Sequence, residues 1–203
     1  LSGFGEPETL NVDPETPSIL HPPPGGAIKT EGTNMAFRRD VLVEMGGFDP
    51  AFHYYLDETD LNMRLARAGH ATAIVPLAEV HHGFAANAMR SANRVPRDLF
   101  DIGASWAVFH RKHLPAQDRA AHWAHLRAQQ RHRLLRHLVS GGLEPRDVPR
   151  LLRRLDDGHA EGAKRPIATV TLPEKANSAF RPFPARARRS VAMFTRPIKL
   201  AQD

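Results

Sequence analysis

Apolar positions along this chain recur first in short, broken stretches and then in long helical stripes. From Leu1 to about Ile28 no period is sustained, and Pro22-Pro23-Pro24-Gly25-Gly26 lacks backbone donors and favours turn geometry, so this stretch is predicted to be loop. Order is predicted to begin near Glu31, where Thr33 to Phe37 alternates small and apolar residues as a short buried strand does. Asp40 to Met45 then places Val41, Leu42 and Met45 on one helical face, with Gly46-Gly47 as its stop. Tyr54 to Leu56 reads as an extended approach to a second helix over Thr59 to Ala68. On that helix Leu61, Leu65 and Ala68 share a face, Asp60 and Arg64 pair across one turn, and Gly69 supplies a left-handed cap. Ala71 to Val75 reads as a buried strand ended by Pro76, and Glu79-Val80-His81 as a second short one.

After Phe84 the pattern turns helical and basic. Leu99, Ile102, Trp106 and Phe109 mark a helix ending near Arg111-Lys112-His113. A longer one follows Pro115, with Trp123, Leu126, Gln130, Leu134 and Leu138 on one stripe, and a third after Pro145 uses Val148, Leu151, Leu152 and Leu155 and stops at Gly158. From Arg165 the chain is proline-punctuated, with one strand expected over Ala168 to Leu172. The expected organisation is an irregular linker over 1–30, a folded part over 31–113, a basic helical extension over 114–160 and a Pro-rich basic tail over 161–203, the tail being a candidate start of another segment. No internal repeat is visible.

Composition narrows the classes. The 203 residues carry 28 Lys and Arg against 22 Asp and Glu, a net charge of +6, which favours anionic partners such as nucleotide diphosphates or anionic lipid. There is no cysteine, so disulfides, thiolate metal sites and cysteine nucleophiles are excluded. No apolar run approaches the ~18 residues of a membrane helix. The opening at Leu1, inside a Gly/Pro-rich stretch, is expected to be the edge of a longer chain.

The densest chemistry is at the start of the second predicted helix. Asp57, Glu58 and Asp60 crowd an entrance where backbone N–H groups and the helix dipole favour negative charge. Like charges this close raise at least one pKa, which makes a carboxylate useful as a general base. The plainer alternative is a capping box, with Asp57 as N-cap and Asp60 at the third helical position. An adjacent pair such as His81-His82 is likewise more often incidental than a metal site, because imidazoles ligate well only when orientation and partners agree.

The order along the chain adds weight. Gly32-Thr33-Asn34-Met35-Ala36-Phe37-Arg38-Arg39 is followed by Gly46-Gly47-Phe48-Asp49, then Asp57-Glu58-Thr59-Asp60-Leu61-Asn62-Met63-Arg64-Leu65, then Gly69, Pro76 and Val80-His81-His82. This succession resembles the second half of family 2 glycosyltransferases with the GT-A fold, over about Gly32 to Phe84 and more weakly to His113. The resemblance implies an α/β fold class: a partial GT-A, Rossmann-like domain, its acceptor-side half, followed by basic α-helices. It implies an inverting, single-displacement sugar transfer in which the acidic cluster carries the base. The family order is Glu-Asp-x-Asp with the second residue as base; that position is Glu58 here, and Asp57, in place of the usual Glu, is the alternative. The resemblance also sets Gly32 and Asn34 beside the sugar and acceptor pocket and Gly47 and Phe48 in the acceptor platform. His81 or His82 falls where some GT-A enzymes hold a divalent metal, here Mg²⁺ or Mn²⁺.

The implied partners are a nucleotide-diphosphate sugar donor and a saccharide or lipid-linked hydroxyl acceptor. The implied location is cytoplasmic, with peripheral contact at the inner face of a membrane. No Asp-x-Asp and no Gly-rich strand-to-helix turn precedes Gly32, so the donor half is expected to lie outside this sequence, and these 203 residues alone are expected to be inactive.

Arg111 and Lys112 are the candidates for diphosphate contact, and the basic helices read either as an anion- or membrane-facing surface or as a solvated face. His110 with His113, and His122 with His125, have metal-compatible spacing but lack a carboxylate in register. Two rival classes remain: a non-catalytic interaction module, which the intact acids argue against, and a nucleic-acid binder. The basic stretch lacks the interleaved aromatics of single-strand binders, so no specific nucleic acid is expected.

Overall fold

A computed structural model describes residues 1–83, 85–174 and 179. Residues 1–172 form one compact unit; the other unit is 173–203, of which only 173, 174 and 179 are described. Among the described residues the fold is mixed α/β: five helices and a two-stranded sheet. No helix there is long and apolar enough to cross a membrane.

The first strand, β1 (Ser18–Leu20), lies in the stretch expected to be loop. It pairs antiparallel with β2 (Thr72–Ile74), Ile19 opposite Ala73. Three residues are too few for an alternation to register, which is why the period gave no hint of β1. The same stretch supplies core: Leu1, Ala27 and Ile28 are buried, and the Leu1 ammonium donates to the Ala27 carbonyl at 2.7 Å. β2 is the predicted 71–75 strand, but as an edge in a two-stranded ribbon it is half-buried with Ala73 outward. No strand forms over Thr33–Phe37, where a tight turn bridges Glu31 to Asn34, nor over 79–81, which is exposed loop.

The predicted helices are present. α1 (Arg39–Glu44) ends at Gly46 and Gly47, both left-handed, and α2 (Asp57–Arg67) ends at Gly69, φ +79°, where the His70 N–H reaches back to the Leu65 carbonyl. Leu61 and Leu65 are buried as expected; Ala68, at the helix end, is exposed, and Met63 is buried instead.

α3 (Phe100–His113) is the central element. It is buried almost all round, flanked by α4 (Ala116–Val139) and α5 (Asp147–Gly162). One core cluster sets Trp106, Val108 and Phe109 of α3 against Leu56 and Met63; a second joins Leu99 to Leu134, Leu151 and Leu155. Ile102 and Trp123 touch both clusters, so the basic helices share one interior with α3.

α5 does not stop at Gly158, as the sequence suggested. A Cβ at Gly158 would lie 1.9 Å from the Phe100 carbonyl oxygen, and one at Gly162 would lie 2.2 Å from that of Ala104. These glycines let α3 and α5 touch backbone to backbone, a packing use of glycine rather than a terminating one. The stretch expected as a strand at 168–172 has no ladder. It lies over the end of α1, with the Val170 N–H donating to the Gly46 carbonyl at 2.8 Å.

Candidate active site

Two left-handed residues deliver the chain into α2. Tyr55 and Leu56 have φ of +76° and +68°, so the expected extended approach is a sharp bend. Such a conformation costs roughly 1–3 kcal/mol per non-glycine residue and persists only where neighbours over-determine it. Here the Ser105 hydroxyl of α3 donates to the Tyr54 carbonyl at 2.8 Å, the Tyr55 ring meets Trp106 edge-on, and Leu56 is buried in the core. The bend makes Leu56 the N-cap, with no side-chain capping bond, so Asp57 is the first helical residue and the capping-box alternative does not form. Asp57, Glu58 and Asp60 thus occupy the first, second and fourth helical positions and face different surroundings.

Asp60 faces inward and is fully buried. Its Oδ1 receives His113 Nε2 and Lys112 Nζ, each at 2.8 Å, and its Oδ2 receives Arg64 Nε at 2.9 Å. Burial alone would raise its pKa, but these three donors hold it below the usual carboxylate value. Burial outweighs Asp60 in lowering the His113 pKa, so His113 acts as a neutral donor and Lys112 and Arg64 carry the positive charge. Lys112 also reaches Asp49 at 2.7 Å, and Asp49 takes the Ala51 N–H at 2.9 Å. Arg64 completes the knot by donating to the Met45 and Gly47 carbonyls at 2.6 and 2.8 Å.

This knot places several motif residues in supporting roles. Lys112 lies between two buried carboxylates. Arg111 donates to the Gly162 and Arg165 carbonyls at the end of α5. Gly47 is buried with Val170 and Leu172 over it. Both cations expected at a diphosphate therefore point to partners inside the fold, because α3 runs through the centre rather than along a surface.

Glu58 faces outward and is only partly buried. Its carboxyl is pushed up to about 7, chiefly by burial and then by the hydrogen bond and charge of Asp57, against a smaller pull from Lys29. A carboxyl poised there exchanges a proton readily at neutral pH.

A groove of about 750 Å³ opens along the same side of α2, between the 29–38 segment and β2. Lys29, Asn34, Phe37, Asn62, His70 and Ile74 are among its lining residues. Asn34 Nδ2 donates to the Ala78 carbonyl at 2.6 Å and ties the 31–34 turn to the loop after β2. Gly32 is exposed at the tip of that turn, and Phe48 meets Phe37 edge-on at 6.2 Å. Glu58 is not part of the lining. It lies one turn N-terminal to Asn62 on the same face of α2, and Lys29, at the groove, acts on its charge.

His81 and His82 lie in the exposed loop after β2. Among the described residues no three His, Asp or Glu side chains gather as a metal site. His110 and His113 take other partners: His110 Nε2 meets His122 Nδ1 at 3.0 Å, and His113 belongs to the Asp60 knot. Sequence reasoning missed Lys29, Thr30, Asn62 and His70; the only available signal was the four-residue spacing of Asn62 from Glu58.

No protein-family model and no solved structure matches the chain. Two proteins of Mycobacterium tuberculosis, from strains CDC 1551 / Oshkosh and ATCC 25618 / H37Rv, are both named N-acetylglucosaminyl-diphospho-decaprenol L-rhamnosyltransferase. Each is 39% identical to this chain over 51 residues, 25% of this chain and 17% of theirs. The match thus covers only a minor part of the relatives' length. What that stretch carries is a general relationship of this chain to glycosyltransferases.

Proposed function

We propose that these residues are the acceptor-side part of an inverting family 2 glycosyltransferase of GT-A fold, with Glu58 as its general base. The observation that carries this reading is the Glu58 carboxyl, half-buried at a strained helix entrance with its pKa near 7. In the reaction Glu58 takes the proton of an acceptor hydroxyl. That oxygen then bonds to the anomeric carbon of the donor sugar, and the bond from that carbon to the nucleotide diphosphate breaks, the diphosphate leaving with the electron pair. Asp57, hydrogen-bonded to Glu58, keeps the base weakly acidic, and Asp60 fixes the helix that presents both.

The names of the two relatives specify a rhamnosyl group and a decaprenol-linked acceptor. For this chain a nucleotide-diphosphate sugar donor and a saccharide or lipid-linked hydroxyl acceptor are proposed, at the inner face of a membrane. Mg²⁺ or Mn²⁺ would neutralise charge on the leaving diphosphate. The described residues do not assemble a site for it, so in this reading His81 or His82 gives one ligand and the donor half of a longer chain the rest.

The test is Glu58→Gln in the longer protein. Turnover is expected to fall by roughly 10²–10⁴-fold, the usual contribution of a positioned base. The folded state should gain stability at pH 7. A carboxyl whose folded pKa is raised disfavours folding increasingly as pH climbs from about 4.5 to about 7, and Gln removes that term. Discounted for partial exposure, the gain is about 1–2 kcal/mol. Unchanged turnover would move the base to Asp57 or abandon the transferase reading.

A further inference from the structure

Helices α3, α4 and α5 meet around histidines that face one another rather than acids. His110 of α3 and His122 of α4 are 2% and 8% exposed, and His110 Nε2 lies 3.0 Å from His122 Nδ1. The His159 ring of α5 stands 5.9 Å from that of His110 and stacks on Trp123 of α4, centroids 3.8 Å apart. Trp106 packs against His110 and His122 at 5.8 and 5.5 Å. The surrounding charges do not favour an imidazolium here. His122, His159 and the Arg119 guanidinium act on His110, with no carboxylate among them. Glu6, from the N-terminal segment, is 3.8 Å from His122 and 3.6 Å from the exposed His125, beyond hydrogen-bond length in each case. Asp156 acts on His159 but is already bonded to Arg127 at 2.8 Å.

An N–H···N bond between two imidazoles accepts one extra proton at most; a second sets two N–H groups face to face. Burial is the first cause lowering the pKa of His110, His122 and His159, that of His110 to about 3. Released imidazoles titrate near 6.5, so the stability they give is present above about pH 6.5 and is lost as pH falls. From pH 8 to pH 5 His110 alone shifts the balance toward an opened form by about 30-fold, and the other two act in the same direction. His113 differs. Its side chain is as deeply buried on the same helix, but it faces Asp60 at 2.8 Å, so a proton there turns a hydrogen bond into an ion pair without breaking it.

We propose that this junction is an acid-operated joint: as pH falls, His110, His122 and His159 take up protons and α4 parts from α3 and α5, while the Asp60 knot between α2 and α3 stays closed. Trp106 carries the opening toward the candidate base. It meets the Tyr55 ring edge-on at 6.2 Å, in the left-handed bend that leads into α2, so losing its histidine neighbours slackens the segment that presents Glu58. That consequence rests on the transferase reading; the joint does not.

The experiment uses the 203-residue chain without nucleotide or acceptor. Its two tryptophans, Trp106 and Trp123, both lie at the joint, so their emission reads it directly. Acidification is expected to give a red shift with a midpoint of about pH 5. At that pH, hydrogen exchange should show α4 deprotected, since a detached helix is marginal in water, and α2 still protected. His159→Phe keeps the stack on Trp123 without a titrating ring, and His122→Gln keeps a partner for His110. Each should lower the midpoint by about half a pH unit. His159 is only half-buried, so its variant decides the matter if His122→Gln folds poorly. His132→Gln, at an exposed site on α4, should leave the midpoint unchanged.

An unchanged midpoint in His159→Phe, no red shift above about pH 4, or loss of protection in α2 and α4 together overturns the proposal. A joint that opens as described, in a longer chain that transfers no sugar, would refute the transferase reading alone.

Discussion

Lys112 divides the sequence-based expectation of a diphosphate ligand from the structural role found for it. Its ammonium sits 2.7 Å from Asp49 and 2.8 Å from Asp60, both almost completely buried, and its own side chain is 12% exposed. Lys112→Met keeps most of the aliphatic volume and removes the charge. Breaking a buried ion pair by removing one partner typically costs 3–5 kcal/mol. Asp49 keeps its backbone N–H donors and Asp60 keeps His113 and Arg64, so the lower end, about 3 kcal/mol, is expected.

For a unit of this size that is about 6–12 °C in melting temperature, readable by circular dichroism at pH 7 without nucleotide. The pH dependence has a definite sign. Asp60 has its folded pKa depressed, so its contribution is present above the unfolded value near 3.9 and is lost as pH falls through the lower folded value. The gap between wild type and Lys112→Met should therefore narrow once pH drops below about 4. A melting temperature within about 2 °C of wild type at pH 7, or a gap that pH does not change, would refute the knot and return Lys112 to the surface role read from the sequence.

Two further changes test the helical half. Gly158→Ala places a Cβ against the Phe100 carbonyl at 1.9 Å, backbone that cannot rotate away. The loss should be about 1–3 kcal/mol or more in chemical denaturation, and wild-type stability would mean that α3 and α5 are not in backbone contact. The His110 pKa is pushed down to about 3, first by burial and then by His122, His159 and Arg119. A base with a depressed folded pKa stabilises above its unfolded value near 6.5 and loses that contribution as pH falls toward 3. The cost is about 2 kcal/mol at pH 5, and His110→Phe should flatten the decline in melting temperature between pH 7 and 5. A decline as steep in the variant would place the acid sensitivity elsewhere.

The helices were legible in the sequence because period and punctuation agreed. Gly46-Gly47 and Gly69 terminate α1 and α2 with positive φ, as their positions suggested, and the helix read from Leu99 to Arg111-Lys112-His113 matches α3 to within a residue or two. The Asp60–Arg64 pair could be read for the same reason, since four-residue spacing on a helix is a local rule. The acidic cluster, too, was visible as a cluster.

Its division of labour was not visible. Sequence treats Asp57, Glu58 and Asp60 alike, and only the packing of α3 against α2 brings His113 and Lys112, more than fifty residues on, to Asp60 while leaving Glu58 partly exposed. The arginines from 111 to 154 looked like a surface field because their partners lie far along the chain: Asp98 takes Arg154, Asp156 takes Arg127, and the carbonyls of Gly162 and Arg165 take Arg111. Gly158 reads in the sequence as a stop, and only the approach of Phe100 shows it to be a contact inside α5.

The sequence by itself determined which stretches are helical, where glycine ends α1 and α2, and which residue types meet at the entrance of α2, because those depend on neighbours within a turn or two. The tertiary structure alone decided which carboxyl is buried in ion pairs and which holds its proton near neutrality, because desolvation and long-range charge depend on what the rest of the chain brings alongside.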